Sequence, residues 1–202
     1  MKPNPISLPK PLISLLPAEL QQQCVSQKCS KGERLFAQGQ QPERMFFIGS
    51  GEAVLQRMGE HGTQLVLQRV RQGFISEASL QSSLYHCESI VTVAGDLVSI
   101  PISAIKQELL SNPEFAMRWV AMLNKELKRL RAQCERLSLK SVKDRLLHLI
   151  ETEGEDGKLA LGTGLKSIAA ELSVSHEALY RTVAELEKQG VLYRFGNSIC
   201  YK

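Results

Sequence analysis

The chain has 202 residues, 43% hydrophobic and 23% charged, which suits one large or two small domains of an ordinary soluble protein. No apolar run approaches the roughly 20 residues of a membrane span, and the proline-rich start "MKPNPISLPKPLISLLPAEL" is unlike a signal peptide, so a cytoplasmic protein with no membrane partner is expected. Net charge is only +4, and the excess sits on residues 114–145 (9 Lys/Arg against 4 acids) rather than on 146–202 (6 against 8), so bulk charge gives little support for a nucleic-acid partner.

Cys24, Cys29, Cys87, Cys134 and Cys200 are odd in number and scattered, which argues for free thiols rather than a disulfide framework. No CxxC…CxxC spacing marks a zinc site, so no metal site is expected. GxSxG, Walker and HExxH motifs are absent as well, so the chain is not read as an enzyme.

In chain order, residues 12–27 carry a short helical pattern with Pro17 near its start. The Gly-punctuated stretch that follows holds short β-rich runs at Arg34–Ala37, Met45–Ile48, Ala53–Arg57 and Gln64–Val70, with His61 in the exposed "GEHGT" turn. "ESIVTVAGDLVSIP" adds two strands around Gly95-Asp96, and turns every 8–12 residues or so predict a β-roll over residues 1–112.

Residues 113–138 change character. Asn112 can cap a helix that Pro113 opens. Val120, Leu123, Leu127, Leu130, Cys134 and Leu137 then step by 3, 4, 3, 4, 3, an a/d seam of about three heptads flanked by Lys125, Lys128, Arg129, Arg131 and Arg136. So narrow a stripe favours a parallel two-helix coiled coil and a homodimer over a helix packed within one chain.

Residues 139–202 read as a winged helix-turn-helix. "ETEGEDGKLALGTG" is a loop and short strand, and "LKSIAAELSVSHEALYRTVAELEKQGVL" is helix, turn, helix. Leu165, Ile168, Ala169 and Leu172 give the first apolar face, Val174 the buried turn residue, and Leu179, Val183, Leu186 and Leu192 the rest of the core. Gly190 suits a helix C′ position, and "VLYRFGNSICYK" can pair across Gly196-Asn197 as a wing. The fold class is therefore α+β.

This order of parts, with "ERMFFIGSGEAVLQ" and "GFISEASL" in the roll, resembles the catabolite activator / fumarate-nitrate regulator family of bacterial transcription factors over nearly the whole chain. The resemblance implies double-stranded DNA as partner, and RNA polymerase if the protein activates. Ser175 would cap a recognition helix presenting His176, Glu177, Tyr180 and Arg181, with Lys166 and Ser167 on the preceding helix completing the candidate DNA-contacting set. The positions matching Glu177 and Arg181 read base edges in the family, which implies a TGA-like half-site. Arg can donate twice to guanine and Glu can accept from cytosine, and i, i+4 spacing puts both on one face; the bland reading is a solvated ion pair. His176 and Tyr180 depart from residues common in the family, so the outer bases stay open.

The family's roll often holds a cyclic nucleotide through a Gly-Glu start and an Arg-Ser pair. Here Glu77 matches the ribose-binding position, but Ser76 replaces the Gly and Cys87-Glu88 falls where Arg-Ser would bind the phosphate. A carboxylate facing a phosphate is repulsive, which argues against cyclic AMP. The remaining pocket candidates are His86, Ser89 and, on the long helix, Leu130 and Arg131. Arg131 either fills the vacated pocket and pairs with Glu77 or Glu88, or is simply a flanking heptad charge.

Cys87, beside His86, and Cys134, facing its mate across a two-fold, are the candidate redox thiols; the alternative is small apolar filler. Cys24 and Cys29 lie inside predicted elements, which argues against an iron-sulfur cluster. Haem stays open, although adjacent His86 and Cys87 cannot both be axial ligands of one iron. The expected function is a homodimeric regulator on an inverted repeat, controlled by a signal other than cyclic AMP, whether thiol, redox or haem. A constitutive DNA-binding regulator with a non-functional effector pocket is the alternative.

Overall fold

The computed structural model describes residues 8–58, 64–161 and 164–201, and His61 lies outside the described residues. The chain is α+β and forms two compact units, Met1–Ala121 and Met122–Lys202.

The first unit is an antiparallel β-roll. Its strands are β1 (Val25–Cys29), β2 (Arg34–Phe36), β3 (Arg44–Ile48), β4 (Glu52–Met58), β5 (Gln64–Val70), β6 (Gly73–Phe74), β7 (Glu88–Val93) and β8 (Gly95–Pro101). They form two four-stranded sheets, ordered β1-β8-β3-β6 and β2-β7-β4-β5. Phe36, Ile48, Leu55, Val91 and Leu97 fill the space between, together with Cys29 and Cys87. The four runs expected between residues 34 and 70 are all strands.

Three features of this unit depart from the sequence reading. The helical pattern of residues 12–27 is two short helices, α1 (Lys10–Leu15) and α2 (Ala18–Gln21), followed by β1. Leu12, Leu16 and Leu20 keep helical spacing and are all buried, but Pro17 lacks the N–H that would continue one helix through them. The turn between β7 and β8 falls at Ala94, not at Gly95-Asp96. Gly95 serves a close approach instead: a Cβ there would lie 2.1 Å from the Ser50 carbonyl oxygen of the β3–β4 turn. Finally, Pro101 leads into a helix, α3 (Ile102–Ser111), that buries Ile102, Ala104 and Ile105.

The long helix α4 runs from Pro113 to Ser138. Asn112 caps it, its Oδ1 accepting from the Phe115 N–H at 3.0 Å. Within the first unit its opening turns are anchored by aromatic packing. Trp119 lies 5.2 Å from Phe74 and 5.8 Å from Phe115, centroid to centroid, and both Phe115 and Trp119 are buried.

The second unit contains the rest of α4, then α5 (Val142–Glu153), β9 (Lys158–Ala160), α6 (Leu165–Glu171), α7 (His176–Lys188), β10 (Leu192–Phe195) and β11 (Ser198–Tyr201). One core joins Leu146, Leu149 and Ile150 of α5 to Ile168, Leu172, Leu179, Val183, Leu186 and Ile199. The wing pairs Phe195 with Ser198 across Gly196, whose φ of 56° lies in the left-handed region, and β11 also pairs with β9. Gly190, at φ 69°, ends α7.

Candidate nucleic-acid interface and effector pocket

The local sequence builds α7 as a helix with one buried and one open face. Ser175 is extended, and its hydroxyl accepts from the Ala178 N–H at 3.2 Å, satisfying an orphan donor of the first turn. Leu179, Val183 and Leu186 recur at 4 and 3 residues and are fully buried. That period turns His176, Glu177, Tyr180 and Arg181 to the opposite side, where all four are exposed. Among the described residues, Glu177 and Arg181 make no ion pair with each other. Lys166 is exposed and Ser167 half-buried at the start of α6. The open face thus offers a carboxylate, a guanidinium, an imidazole and a phenol on the first two turns of a capped helix, a set that can donate to and accept from base edges in a groove.

The seam of α4 is open in the single chain. Val120, Leu123, Leu127, Leu130 and Leu137 are 37–48% exposed, and Cys134 is also exposed. Arg131 is exposed on the same helix. Arg136, which the spacing groups with the solvent-facing cations, is fully buried. Its Nη2 donates to Glu153 Oε1 at 2.6 Å and to Thr152 Oγ1 at 3.0 Å, and its Nη1 lies 3.8 Å from Glu171 Oε1. Sequence spacing gave no sign of this, because the carboxylates come from two later helices.

In the roll, Glu77 opens a single 3₁₀ turn, Glu77–Ser79, and is half-buried. Ser76 is buried, its hydroxyl accepting from the Phe46 N–H at 3.2 Å. Glu88 sits on β7 with partners of its own: Arg34 Nε at 3.1 Å and the Gln56 amide, which donates to it at 2.8 Å. Ser89 next to it is fully buried.

His86 is exposed and Cys87 is 1% exposed within the roll core. Burial pushes the Cys87 thiol up, against a weaker pull from Arg57, the direction opposite to that of an activated thiol. Burial also raises Cys24, to about 11, and Cys29. No group of three or more His, Cys, Asp or Glu among the described residues is placed to hold a metal ion. No helix among them is long and apolar enough to cross a membrane.

A buried carboxylate, Glu52 at 4% exposed, has no signal in the sequence. It accepts from Thr92 Oγ1 at 2.6 Å, from Arg71 Nε at 3.1 Å and from Arg69. Burial alone would raise its pKa, but the Thr92 hydrogen bond and the two guanidiniums outweigh it and hold the carboxyl below the usual range.

Comparison with known proteins gives this geometry a context. Residues 26–112 match the family model of the cyclic nucleotide-binding domain. The global nitrogen regulator of Nostoc sp. is 24% identical over 159 residues, 76% of this chain and 69% of that protein. A CooA variant from Carboxydothermus hydrogenoformans has the same fold, with TM-score 0.71 and 18% identity over 98% of this chain and 93% of that one. FixK2 from Bradyrhizobium japonicum matches with TM-score 0.67 and 17% identity over 89% of this chain and 92% of that one. The chain thus carries a cyclic nucleotide-binding domain, and with the roll, the long helix and the helix-turn-helix in this order it is similar to regulators of the catabolite activator / fumarate-nitrate regulator type.

Proposed function

We propose that the protein is a cytoplasmic homodimeric regulator that binds an inverted repeat with TGA-like half-sites through α7. The observation that carries this is the open face of the Ser175-capped helix, where Glu177 and Arg181 stand four residues apart and exposed. Arg181 would donate twice to guanine and Glu177 would accept from cytosine, while Lys166 and Ser167 approach the phosphates. The exposed apolar seam of α4 supports pairing of two copies, which would bring two recognition helices to half-sites about one helical turn apart. If it activates, RNA polymerase is the further partner.

The signal we propose is not cyclic AMP. Glu88 would set a carboxylate at the phosphate position that the family resemblance implies, and its contacts with Arg34 and Gln56 support this reading. The candidate receivers are the exposed Cys134 thiol and the exposed His86 imidazole, the latter as a single haem ligand. A constitutive regulator remains the second reading, favoured by the same engagement of Glu88 within its own sheet.

The deciding experiment is fluorescence anisotropy at one fixed salt concentration, on an inverted-repeat duplex with TGA/TCA cores and on a scrambled duplex. The protein should prefer the first, and Arg181→Ala should weaken that binding by about 1–3 kcal/mol, leaving the scrambled duplex unaffected. Equal binding of both duplexes by the wild type would overturn the reading. Repeating the titration with reduced and mildly oxidised protein, and with Cys134→Ser, separates a thiol sensor from a constitutive regulator.

A further inference from the structure

The end of α4 is fastened to the helix-turn-helix by two arginines that reach across from opposite sides. Arg136, from the last turns of α4, is fully buried and holds Glu153 of α5 at 2.6 Å and Glu171, the last residue of α6, at 3.8 Å. Arg145, from α5, reaches back the other way. Its Nε donates to the Leu139 carbonyl at 2.8 Å and its Nη2 to the Leu137 carbonyl at 3.2 Å, so it closes the open C-terminal end of α4. Its Nη1 donates to the Leu172 carbonyl at 2.9 Å, at the end of α6. Both cations therefore meet the C-terminal end of α6, immediately before the turn that leads into α7.

This arrangement is expensive to build by chance. A buried guanidinium carries a large desolvation cost; here Nη2 of Arg136 is satisfied by Glu153 and Thr152 and the charge of Glu171 lies near Nη1, while Nε and Nη1 make no hydrogen bond among the described residues. A simple break between α4 and α5 would need none of it, since water can satisfy the helix ends. We infer that Arg136 and Arg145 form a clasp that carries α7 at a fixed angle to the end of α4, and so set the half-site spacing that the dimer accepts. The inference rests on the reading of α7 as the recognition helix and of α4 as the dimer contact. Both arginines are positioning residues and touch no base.

The test uses the full-length protein and two variants, Arg136→Met/Glu153→Gln, which removes the central ion pair as a pair, and Arg145→Gln. Glu153→Gln alone, at a residue still partly exposed, is the milder variant should the first fail to fold. Two readouts are taken. The first is hydrogen exchange of the amides of residues 139–145, with those of α7 as the internal control. The second is anisotropy on TGA/TCA inverted repeats whose spacer is changed one base pair at a time, with a single half-site duplex alongside.

Breaking the clasp should speed junction exchange by about tenfold or more with α7 unchanged. It should also reduce the preference for the best spacer from about tenfold to under about threefold, with half-site binding within about twofold of wild type. A merely structural loss would lower all binding together and leave the spacer preference intact, and that result overturns the inference. So does junction exchange equal to wild type. If the wild type binds no duplex specifically at any spacing, the DNA reading fails instead, and the exchange result alone decides the clasp.

Discussion

Glu52 shows how one side chain can tie the roll together and make it sensitive to acid. Its carboxylate bridges Arg69 and Arg71 to Thr92, and all three partners depend on its being charged. Because the folded carboxyl is held below its unfolded value, the stabilisation is fully present above the ordinary carboxylate range, near 4.3, and is lost as pH falls through the depressed folded value. Glu52→Gln should therefore cost about 2 kcal/mol at neutral pH, the worth of hydrogen bonds to a charged group. The gap to wild type should close as pH drops below the carboxylate range. Thermal melts of both proteins from pH 7 down to pH 3 check this, and a gap independent of pH would show that packing, not charge, is what Glu52 contributes. Neither Glu52 nor Arg136 stands out in the sequence, because a charged residue looks solvent-facing until its partners, which come from other elements, are known.

Among elements, the legible ones are those whose signal is local. The wing announces itself by Gly196-Asn197 between two β-rich runs, helix α7 by Ser175 ahead of Leu179, Val183 and Leu186, and the roll strands by their turn residues. Strand β1 was hidden because only Cys29 of its five residues is buried, so no alternation appears, and its pairing with β8 is long-range. Helix α3 was hidden because its buried Ile102, Ala104 and Ile105 crowd its first turn instead of recurring along its length. The candidate effector pocket was the least legible part: the family resemblance implies a phosphate position at Cys87 and Glu88, but nothing in the sequence signals the burial of one or the Arg34 and Gln56 contacts of the other. At this scale the cap is the sharpest handle. Ser175→Ala removes the acceptor for the Ala178 N–H and should cost about 1 kcal/mol of stability, while Ser175→Asp should retain it. Equal denaturation midpoints for wild type and Ser175→Ala would mean that the core face alone fixes the start of α7.

For the whole molecule, affinity should come from having two recognition helices, not from the strength of either one. A single α7 offers few base contacts, and the charge of residues 146–202 is on balance acidic, so one DNA-binding unit has little electrostatic attraction to add. Pairing through the α4 seam changes that arithmetic. Once one half-site is bound, the second recognition helix is held at a high effective concentration over the other, which can tighten binding by about 10²–10⁴ without any new contact. In the proposed dimer the seam would supply the pairing energy, because Leu127 and Leu130 are both more than a third exposed in the single chain and would be covered by a second copy. Leu127→Glu with Leu130→Glu places like charges at adjacent seam layers and should yield a folded monomer by light scattering. That monomer should bind the inverted repeat about 10²-fold or more weakly, yet bind an isolated half-site as the wild type does. If the variant is monomeric and still binds the full repeat at wild-type strength, the two half-sites are not being read together, and the role of α4 lies elsewhere than in joining two recognition helices.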